Sequence, residues 1–217
     1  MIIPSARKVT NTGTTKIIGV FYSAKMRVHV ETESTLEADY LLHLEFSPDV
    51  FAYRTQPRTF VYEELLERSR RYTPDVAVVG TAESAPLYME VKPAAIAASA
   101  RFQRDFEWQC EAVRREGGTL SVVTDAFIRQ EPRLTNLKQL YRYAALPLLR
   151  EWEVGRLREI CQAVPHTLDE LKAAVAPFDL GLPHIYKAVS QGLLAIDLDV
   201  PLSGSSSFAW KEAHHES

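Results

Sequence analysis

The chain has 217 residues, of which 46% are hydrophobic and 24% charged, and its formal net charge is −3 at pH 7. This length and composition are typical of a soluble globular protein with one large domain, or one medium and one small domain. The net charge argues against a protein that coats nucleic acid through a generic polybasic surface. No apolar run reaches the roughly 18 residues of a membrane span, and two cysteines are too few for a disulfide framework. We therefore expect a cytoplasmic protein.

Basic residues are concentrated in two regions. The first thirty residues contain five cations and no acid: Arg7, Lys8, Lys16, Lys25 and Arg27. Because this segment has a turn cluster and only short apolar stretches, we expect an irregular basic arm. A second basic region precedes Asp75 and contains Arg54, Arg58, Arg68, Arg70 and Arg71. Basic patches around an acidic pocket suit a protein that holds phosphates, and a solvated surface is the alternative.

The first clear element is a helix over residues 34–46. Ser34 with Glu37 three residues later is typical of a capping box at its start. At about 100° per residue, Glu37 also falls inside the apolar arc of this helix, whereas Asp39 and His43 are expected on the solvated side. A carboxylate on a buried face needs a partner. Glu37 therefore has two interpretations, a helix cap or an inward-pointing metal ligand or catalytic acid.

Several strands follow the first helix. They are predicted over residues 50–55, 58–62, 72–79 and 87–92. Pro57 cannot donate to a sheet ladder, so we expect a bend between the first two strands. Residues 63–71 are a polar, charged connection, expected to be irregular or to contain a short helix. Residues 80–86 read as a hairpin-like loop between the last two strands.

A long helix over residues 97–116 ends at Gly117 and Gly118, which are strong helix-ending signals. The short apolar strand 119–124 comes next. A strand that follows a crossover helix lies parallel to its neighbour, through a right-handed connection. The order of strands and helices predicts an α/β fold with a mixed sheet flanked by helices.

The rest of the chain is predicted to be mainly helical and to contain a second, smaller domain. Helices are predicted from residue 136 to 143, 147 to 163, 168 to 176 and 182 to 191, with strands at 193–197 and 208–210. We place the boundary at residue 146, so that residues 1–146 form the larger domain and residues 147–217 the smaller one. Three helices followed by a hairpin are the order of a winged helix, and small helical bundles give similar patterns.

The most informative stretch is the strand Leu87–Lys92. Strand alternation puts Glu90 and Lys92 on one face, about 7 Å apart. On its own this pair is most simply a surface salt bridge. Asp75 near the start of the preceding strand, and Glu37 inside an apolar helix face, change that interpretation. Pro-Asp followed at some distance by Glu-x-Lys is the pattern of a metal-dependent nuclease core.

These side chains predict a metal site if they converge. Glu37, Asp75 and Glu90 would repel one another unless cations neutralise them. Carboxylate oxygens suit Mg²⁺ or Mn²⁺, and the main-chain carbonyl of Val91 could complete the shell. Two such ions about 4 Å apart polarise a phosphodiester, activate water and stabilise the leaving 3′ oxygen. Lys92 would hold the attacking water or balance charge in the transition state.

Five motifs occur in order along the chain: Glu33 to Glu37, Leu44 to Val50, Gln56-Pro57, Pro74-Asp75 and Glu90-Val91-Lys92. They resemble the TnsA-type endonuclease subunit of heteromeric, Tn7-like transposases, over roughly residues 15–200. The resemblance implies a restriction-endonuclease-like PD-(D/E)xK nuclease domain followed by a winged-helix-like domain. It also implies Mg²⁺-dependent cleavage of the 5′ ends of a mobile element during cut-and-paste transposition.

The resemblance further implies site residues and partners. The catalytic residues would be Glu37, Asp75, Glu90 and Lys92, and the metal ligands Glu37, Asp75, Glu90 and Val91. The partners would be transposon-end DNA, an RNase-H-like transposase subunit that cuts the 3′ ends, and an AAA+ ATPase regulator that selects the target. Such a protein acts at the prokaryotic nucleoid, in the cytoplasm and away from membranes.

For contact with DNA we predict Arg54, Gln56, Arg58 and Arg71, and a turn-stabilising role is the alternative for Gln56. Two other functions fit the same sequence. One is a free-standing restriction or junction-resolving nuclease. The other is a non-catalytic DNA-binding adaptor with an inactive nuclease fold, and the intact acidic residues and lysine argue against it.

Overall fold

The computed structural model describes residues 19–64, 68–80 and 85–211. Residues 1–18 of the predicted basic arm and the tail after residue 211 lie outside the described residues. The chain divides into two compact units, Met1–Gln130 and Glu131–Ser217. Within the described ranges, no helix has both the length and the apolar character that crossing a membrane requires.

The first unit is built on a mixed sheet. Over the described residues its strands are β1 (Gly19–Ser23), β2 (Val28–Thr32), β3 (Val50–Thr55), β4 (Phe60–Glu64), β5 (Arg68–Tyr72), β6 (Val76–Gly80), β7 (Leu87–Lys92) and β8 (Thr119–Thr124). The mixed sheet has the order β3-β6-β7-β8, in which β7 and β8 are parallel and the other pairs antiparallel. β1 pairs with β2 and β4 pairs with β5, both antiparallel. The predicted mixed sheet, with a parallel strand after the long helix, is confirmed.

Helices flank this sheet. They are α1 (Thr35–Phe46), α2 (Ala94–Ala97), α3 (Ala100–Arg115) and α4 (Asp125–Ile128). Ser99 caps the start of α3, and Gly117 follows its end with a φ of 79°, where a side chain would be strained. α3 buries Val113 against Tyr88 of β7 and Phe60 of β4. α1 packs against β1, β2, β3 and β7.

The amino-terminal hairpin differs from the irregular arm expected over residues 19–30. Phe21 and Val30 are buried and directly paired across β1 and β2, while the neighbouring Val20 and His29 are exposed or nearly so. The strands are therefore amphipathic, with the period of two that suits a half-buried sheet. Each stretch is only five residues long, which leaves the alternation too short to distinguish from a loop.

β5 also replaces a segment predicted as an irregular or helical connection. Residues 69–71 are exposed and Tyr72 is buried, so the strand has almost no apolar pattern. Its pairing with β4 satisfies the backbone instead. The predicted strand 72–79 is two elements, because Tyr72 ends β5 and β6 begins at Val76, after the turn at Pro74 and Asp75.

The second unit combines helices with a small sheet. Its elements over the described residues are α5 (Arg133–Ala144), α6 (Glu151–Cys161), β9 (His166–Thr167), α7 (Leu168–Val175), α8 (Leu182–Ser190), β10 (Leu194–Ile196) and β11 (Ser207–Trp210). The strands are antiparallel in the order β10-β11-β9. Thr167 and Glu170 form the predicted capping box of α7. The two residues of β9 are not predicted from sequence because they are too few to show alternation.

The boundary between the units follows Gln130, earlier than the predicted position at residue 146. α5 packs against α8 and so belongs to the second unit. The side-chain amide of Asn136 on α5 donates hydrogen bonds to the carbonyls of Leu198 (2.8 Å) and Val200 (2.7 Å). No change of composition or flexible linker precedes α5, so the sequence does not reveal that its partners lie further along the chain.

Candidate active site

The site is centred where Asp75, just before β6, meets the end of β7. Antiparallel pairing of these strands brings Asp75 beside Glu90 and Val91. Asp75 Oδ2 accepts a hydrogen bond from the Val91 N–H (2.8 Å) and another from Lys92 Nζ (3.2 Å). Lys92 Nζ also lies 2.7 Å from Glu90 Oε1. The structure therefore brings together Asp75, Glu90 and Lys92, as the strand alternation predicts.

Glu90 is only 6% exposed, so its pair with Lys92 is not a plain surface salt bridge. Tyr72 donates a hydrogen bond from its hydroxyl to Glu90 Oε2, at 2.6 Å. Burial and the nearby charge of Asp75 raise the pKa of Glu90, and Lys92 and Tyr72 offset part of that rise. For Lys92, burial favours the neutral amine, but the two carboxylates outweigh it and raise the pKa.

A cavity of about 510 Å³ connects these residues with Glu37. Its lining contains all the predicted catalytic residues and lies entirely within the first unit. The full lining is Glu33, Ser34, Leu36, Glu37, Arg71, Tyr72, Thr73, Asp75, Glu90, Val91, Lys92, Pro93 and Gln109. Acidic side chains outnumber basic ones in this lining. The cavity therefore favours cations over anions.

Glu37 is held in the first turn of α1. Its N–H donates to Ser34 Oγ (3.1 Å), and its carboxylate accepts from the Ser34 hydroxyl (2.9 Å) and the Glu33 N–H (2.9 Å). This is the predicted cap. Burial, and then the charge of Asp75, raise the pKa of Glu37 to about 7 despite these hydrogen bonds. Both interpretations of Glu37 thus have structural support, because the capping carboxylate also lines the cavity.

The donor set suits a hard divalent cation chemically. It consists of carboxylates, the Val91 backbone and Gln109 Oε1, a buried acceptor with no hydrogen-bond partner among the described residues. The geometry is not that of a preformed metal centre. Along the described parts of the chain, no group of three or more His, Cys, Asp or Glu side chains is close enough to hold an ion. The ammonium of Lys92 contacts both Asp75 and Glu90, where it supplies positive charge.

The three predicted arginines are exposed, and one of them lines the cavity. Arg71 is exposed and lines the cavity itself. Arg54 is exposed on β3. Arg58 pairs with Glu116 and lies over the ring of Phe60, with 4.7 Å from its guanidinium carbon to the ring centroid. Of the three, Arg71 has the position best suited to contact a substrate in the cavity.

Gln56 is 3% exposed, which argues against the predicted contact with DNA. Its φ of 43° is in the left-handed region, at the bend after β3. Its N–H donates to the carbonyl of Asp75 at 2.8 Å. This bond favours the alternative that Gln56 stabilises the turn, and it ties that turn to the residue at the centre of the site.

Two expectations for α1 are wrong. Asp39 is 9% exposed, and its Oδ2 lies 3.2 Å from Nε of Arg129. The ring of His43 has a nitrogen 2.9 Å from the carbonyl of Ile128. Both contacts come from α4 and the residue after it, which pack against α1. A four-residue helix leaves no periodic signal in the sequence, so this second buried side of α1 is not predicted.

Two further cavity residues, Tyr72 and Gln109, are not predicted from the sequence. Tyr72 could be found from its position, because it is an aromatic residue two places before Pro74-Asp75. Gln109 lies on a half-buried side of α3, where a single glutamine gives no signal of a site. Gln109 reaches the cavity only because of where α3 packs on the sheet, and the sequence alone does not predict that packing.

Residues 47–125 match the family model of the TnsA-like endonuclease N-terminal domain. The matched segment runs from the end of α1 to the start of α4 and includes Asp75, Glu90 and Lys92, while Glu37 lies before it. No curated protein matches the chain. Residues 47–125 are therefore similar to the TnsA-like endonuclease N-terminal domain, which agrees with the family that the sequence motifs resemble.

Proposed function

We propose that this protein is the DNA endonuclease subunit of a Tn7-like transposase and that it cuts the 5′ ends of a mobile element by phosphodiester hydrolysis. One observation carries the proposal. Asp75, Glu90, Lys92 and Glu37 line a single cavity, and the first three belong to the segment that matches the TnsA-like endonuclease domain.

Asp75, Glu90 and the Val91 carbonyl are the proposed holders of Mg²⁺, for which Mn²⁺ can substitute, and Glu37 adds a carboxylate from α1. A bound divalent ion would polarise the phosphodiester and lower the pKa of the attacking water. In the reaction, the water oxygen bonds to phosphorus and the bond from phosphorus to the 3′ oxygen breaks. Lys92 balances the negative charge that develops on the phosphoryl oxygens.

Glu37 has a second proposed role in proton exchange. General acid–base groups work best when their pKa lies near the working pH. The pKa of Glu37 is raised to about 7 by burial and by Asp75. Its carboxylate can therefore take a proton from the cavity near neutral pH, which an ordinary glutamate does poorly.

Arg71 is the proposed phosphate contact at the cavity, with Arg54 and Arg58 as further contacts along the DNA. Arg71 lies on β5, whose residues 69–71 are exposed. Arginine at such a position binds phosphate through its guanidinium group. Gln56 has no part in this contact because its side chain is buried.

The second unit is proposed to be winged-helix-like. Its order α6-β9-α7-α8-β10-β11, with β9 added to the β10–β11 hairpin, is the order of that fold. In DNA-reading winged helices the last helix enters a groove, yet here Ile185, Tyr186, Lys187, Ala188 and Val189 of α8 are all buried. We therefore assign DNA cleavage and phosphate contact to the first unit, and contacts with other transposition proteins to the second.

The proposed partners are an RNase-H-like transposase subunit, which cuts the 3′ ends, and an AAA+ ATPase regulator, which selects the target. They follow from the family of the endonuclease domain. The proposed location is the cytoplasm of a prokaryote, where the protein would act on DNA of the nucleoid.

The test is a cleavage assay with the purified protein, its transposase partner, Mg²⁺ and DNA that carries an element end. We expect cuts at both strands, and Asp75→Ala should abolish the 5′ cut while the 3′ cut remains. Asp49→Ala, which removes an exposed carboxylate before β3, is the matched control. Continued cutting of both strands by the Asp75→Ala complex contradicts the proposal, and cleavage by the protein alone indicates a free-standing nuclease instead.

A further inference from the structure

Tyr72 and Glu90 form a buried contact that the proposed chemistry does not use. The tyrosine is 7% exposed and the glutamate 6% exposed. The Tyr72 hydroxyl donates to Glu90 Oε2 at 2.6 Å. Tyr72 ends β5, outside the mixed sheet that carries Glu90. The bond therefore connects two separate sheets at the site.

The position of the Tyr72 hydroxyl is fixed by packing. Its ring belongs to a buried cluster with Phe60, Tyr88 and Val113, which α3 covers. A rigid ring in a close-packed cluster has little rotational freedom. The hydroxyl is thus presented to Glu90 by the core, and its direction does not depend on flexible surface groups.

The two oxygens of Glu90 have different partners. Oε2 is held by a neutral hydroxyl, whereas Oε1 contacts the ammonium of Lys92, which also contacts Asp75. A cation that binds between Asp75 and Glu90 competes with the ammonium, because both are positively charged. It does not compete with the hydroxyl, which a carboxylate accepts equally well beside a metal ion.

We propose that Tyr72 is a positioning residue, which holds Glu90 so that Oε1 alone faces Asp75 and is offered to a divalent cation. This inference rests on the proposed function, since it assigns to Tyr72 a part in the same site. Partners that orient a ligand carboxylate typically contribute about 10-fold or more to metal affinity. Tyr72 is not proposed to touch the substrate.

The experiment measures Mn²⁺ binding to the full chain by calorimetry, without DNA, for the wild type, Tyr72→Phe and Tyr88→Phe. Tyr72→Phe removes one hydroxyl and keeps the ring, and Tyr88→Phe does the same elsewhere in the same cluster. We expect about a tenfold loss of affinity for Tyr72→Phe and no loss for Tyr88→Phe. In a Glu90→Gln background, Tyr72→Phe should change the affinity less than about twofold, because the effect passes through Glu90.

The outcomes separate this inference from the proposed function. If the wild type binds Mn²⁺ and cuts element ends, but Tyr72→Phe binds as tightly, only the role of Tyr72 is overturned. A loss that persists in the Glu90→Gln background overturns it as well. A wild type that neither binds Mn²⁺ nor cuts DNA overturns both.

A second measurement needs no variant, in case Tyr72→Phe does not fold. Tyrosine labelled with ¹³C at the ring carbon that bears the hydroxyl reports the hydrogen bond of Tyr72 by NMR. We expect its resonance to keep its position when Mg²⁺ saturates the site, because Oε2 remains bound to the hydroxyl. A shift to the value of a solvent-exposed tyrosine means that Mg²⁺ takes both oxygens, which contradicts the inference.

Discussion

The raised pKa of Glu37 makes a quantitative prediction about stability. Its carboxyl has a pKa of about 7 in the folded protein, against the ordinary 4.5, because of burial and the charge of Asp75. The folded state therefore binds this proton more tightly than the unfolded state does, and the free energy of unfolding falls as the pH rises from 4.5 towards 7. At about 1.4 kcal/mol per pKa unit, the loss approaches about 3 kcal/mol above pH 8.

Glu37→Gln removes this ionisation and keeps the size of the side chain. We expect the free energy of unfolding of the variant, relative to the wild type, to rise by about 2 kcal/mol between about pH 5 and pH 8.5. Urea unfolding followed by circular dichroism, in buffer with EDTA, measures the difference at each pH. Asp75→Asn should reduce the slope of the wild type, because the charge of Asp75 is the second cause of the shift.

Glu111→Gln is the matched control, because the pKa of Glu111 is shifted in the opposite direction from that of Glu37. Hydrogen bonds and charge from Arg114 and Arg115 lower the pKa of Glu111 to about 2, so it is ionised in both states across this pH range. Its difference from the wild type should stay constant with pH. If the Glu37→Gln difference is equally constant, Glu37 ionises normally in the folded protein, and both the burial argument and its proposed role in proton exchange are refuted.

Three further outcomes are expected. Arg71→Ala should weaken binding to element-end DNA and reduce the salt slope of binding by about one, in a fluorescence titration at several salt concentrations; an unchanged slope would mean that Arg71 touches no phosphate. Lys92→Met should slow 5′ cleavage by about 100-fold or more while DNA affinity changes little, and a normal rate would exclude it from the reaction. Gly118→Ala should lower the free energy of unfolding, measured with urea, by about 1–3 kcal/mol, because the new Cβ would lie 2.7 Å from Cε2 of Tyr88. Gly155→Ala, where no atom lies within 4 Å of the new Cβ, should leave the free energy of unfolding unchanged or raise it. Equal effects of the two substitutions would contradict the packing argument.

Local pattern is enough to predict the centre of the site. Alternation along β7 places Glu90 and Lys92 together, and their 2.7 Å contact confirms that placement. Asp75 is found because it lies just before β6, the strand that precedes β7, and consecutive antiparallel strands are neighbours. The cap of α1 follows from the spacing of Ser34 and Glu37. In each case the deciding residues lie within one element or in two consecutive ones.

The features that are not predicted from the sequence depend on contacts between distant segments. Tyr72 reaches Glu90 only because β5 folds back on β4 and both pack on α3. The boundary at Gln130 depends on the packing of α5 against α8, more than 35 residues later along the chain. The burial of Gln56 depends on a left-handed turn that a glutamine does not signal. None of these leaves a periodic trace in its own segment.

The arrangement of donors explains why the site favours a cation. Buried carboxylates are tolerated only when donors or charges compensate them. The neutral donors here are two backbone amides, of Glu33 and Val91, and two hydroxyls, of Ser34 and Tyr72. The ammonium of Lys92 supplies a full positive charge to Asp75 and Glu90. These donors do not fully compensate the carboxylates of the site. The pKa of Glu37 is therefore raised, and a proton supplies the missing positive charge. A DNA phosphate brought into the cavity would add negative charge, so we expect its binding to be accompanied by the uptake of a proton or a metal cation.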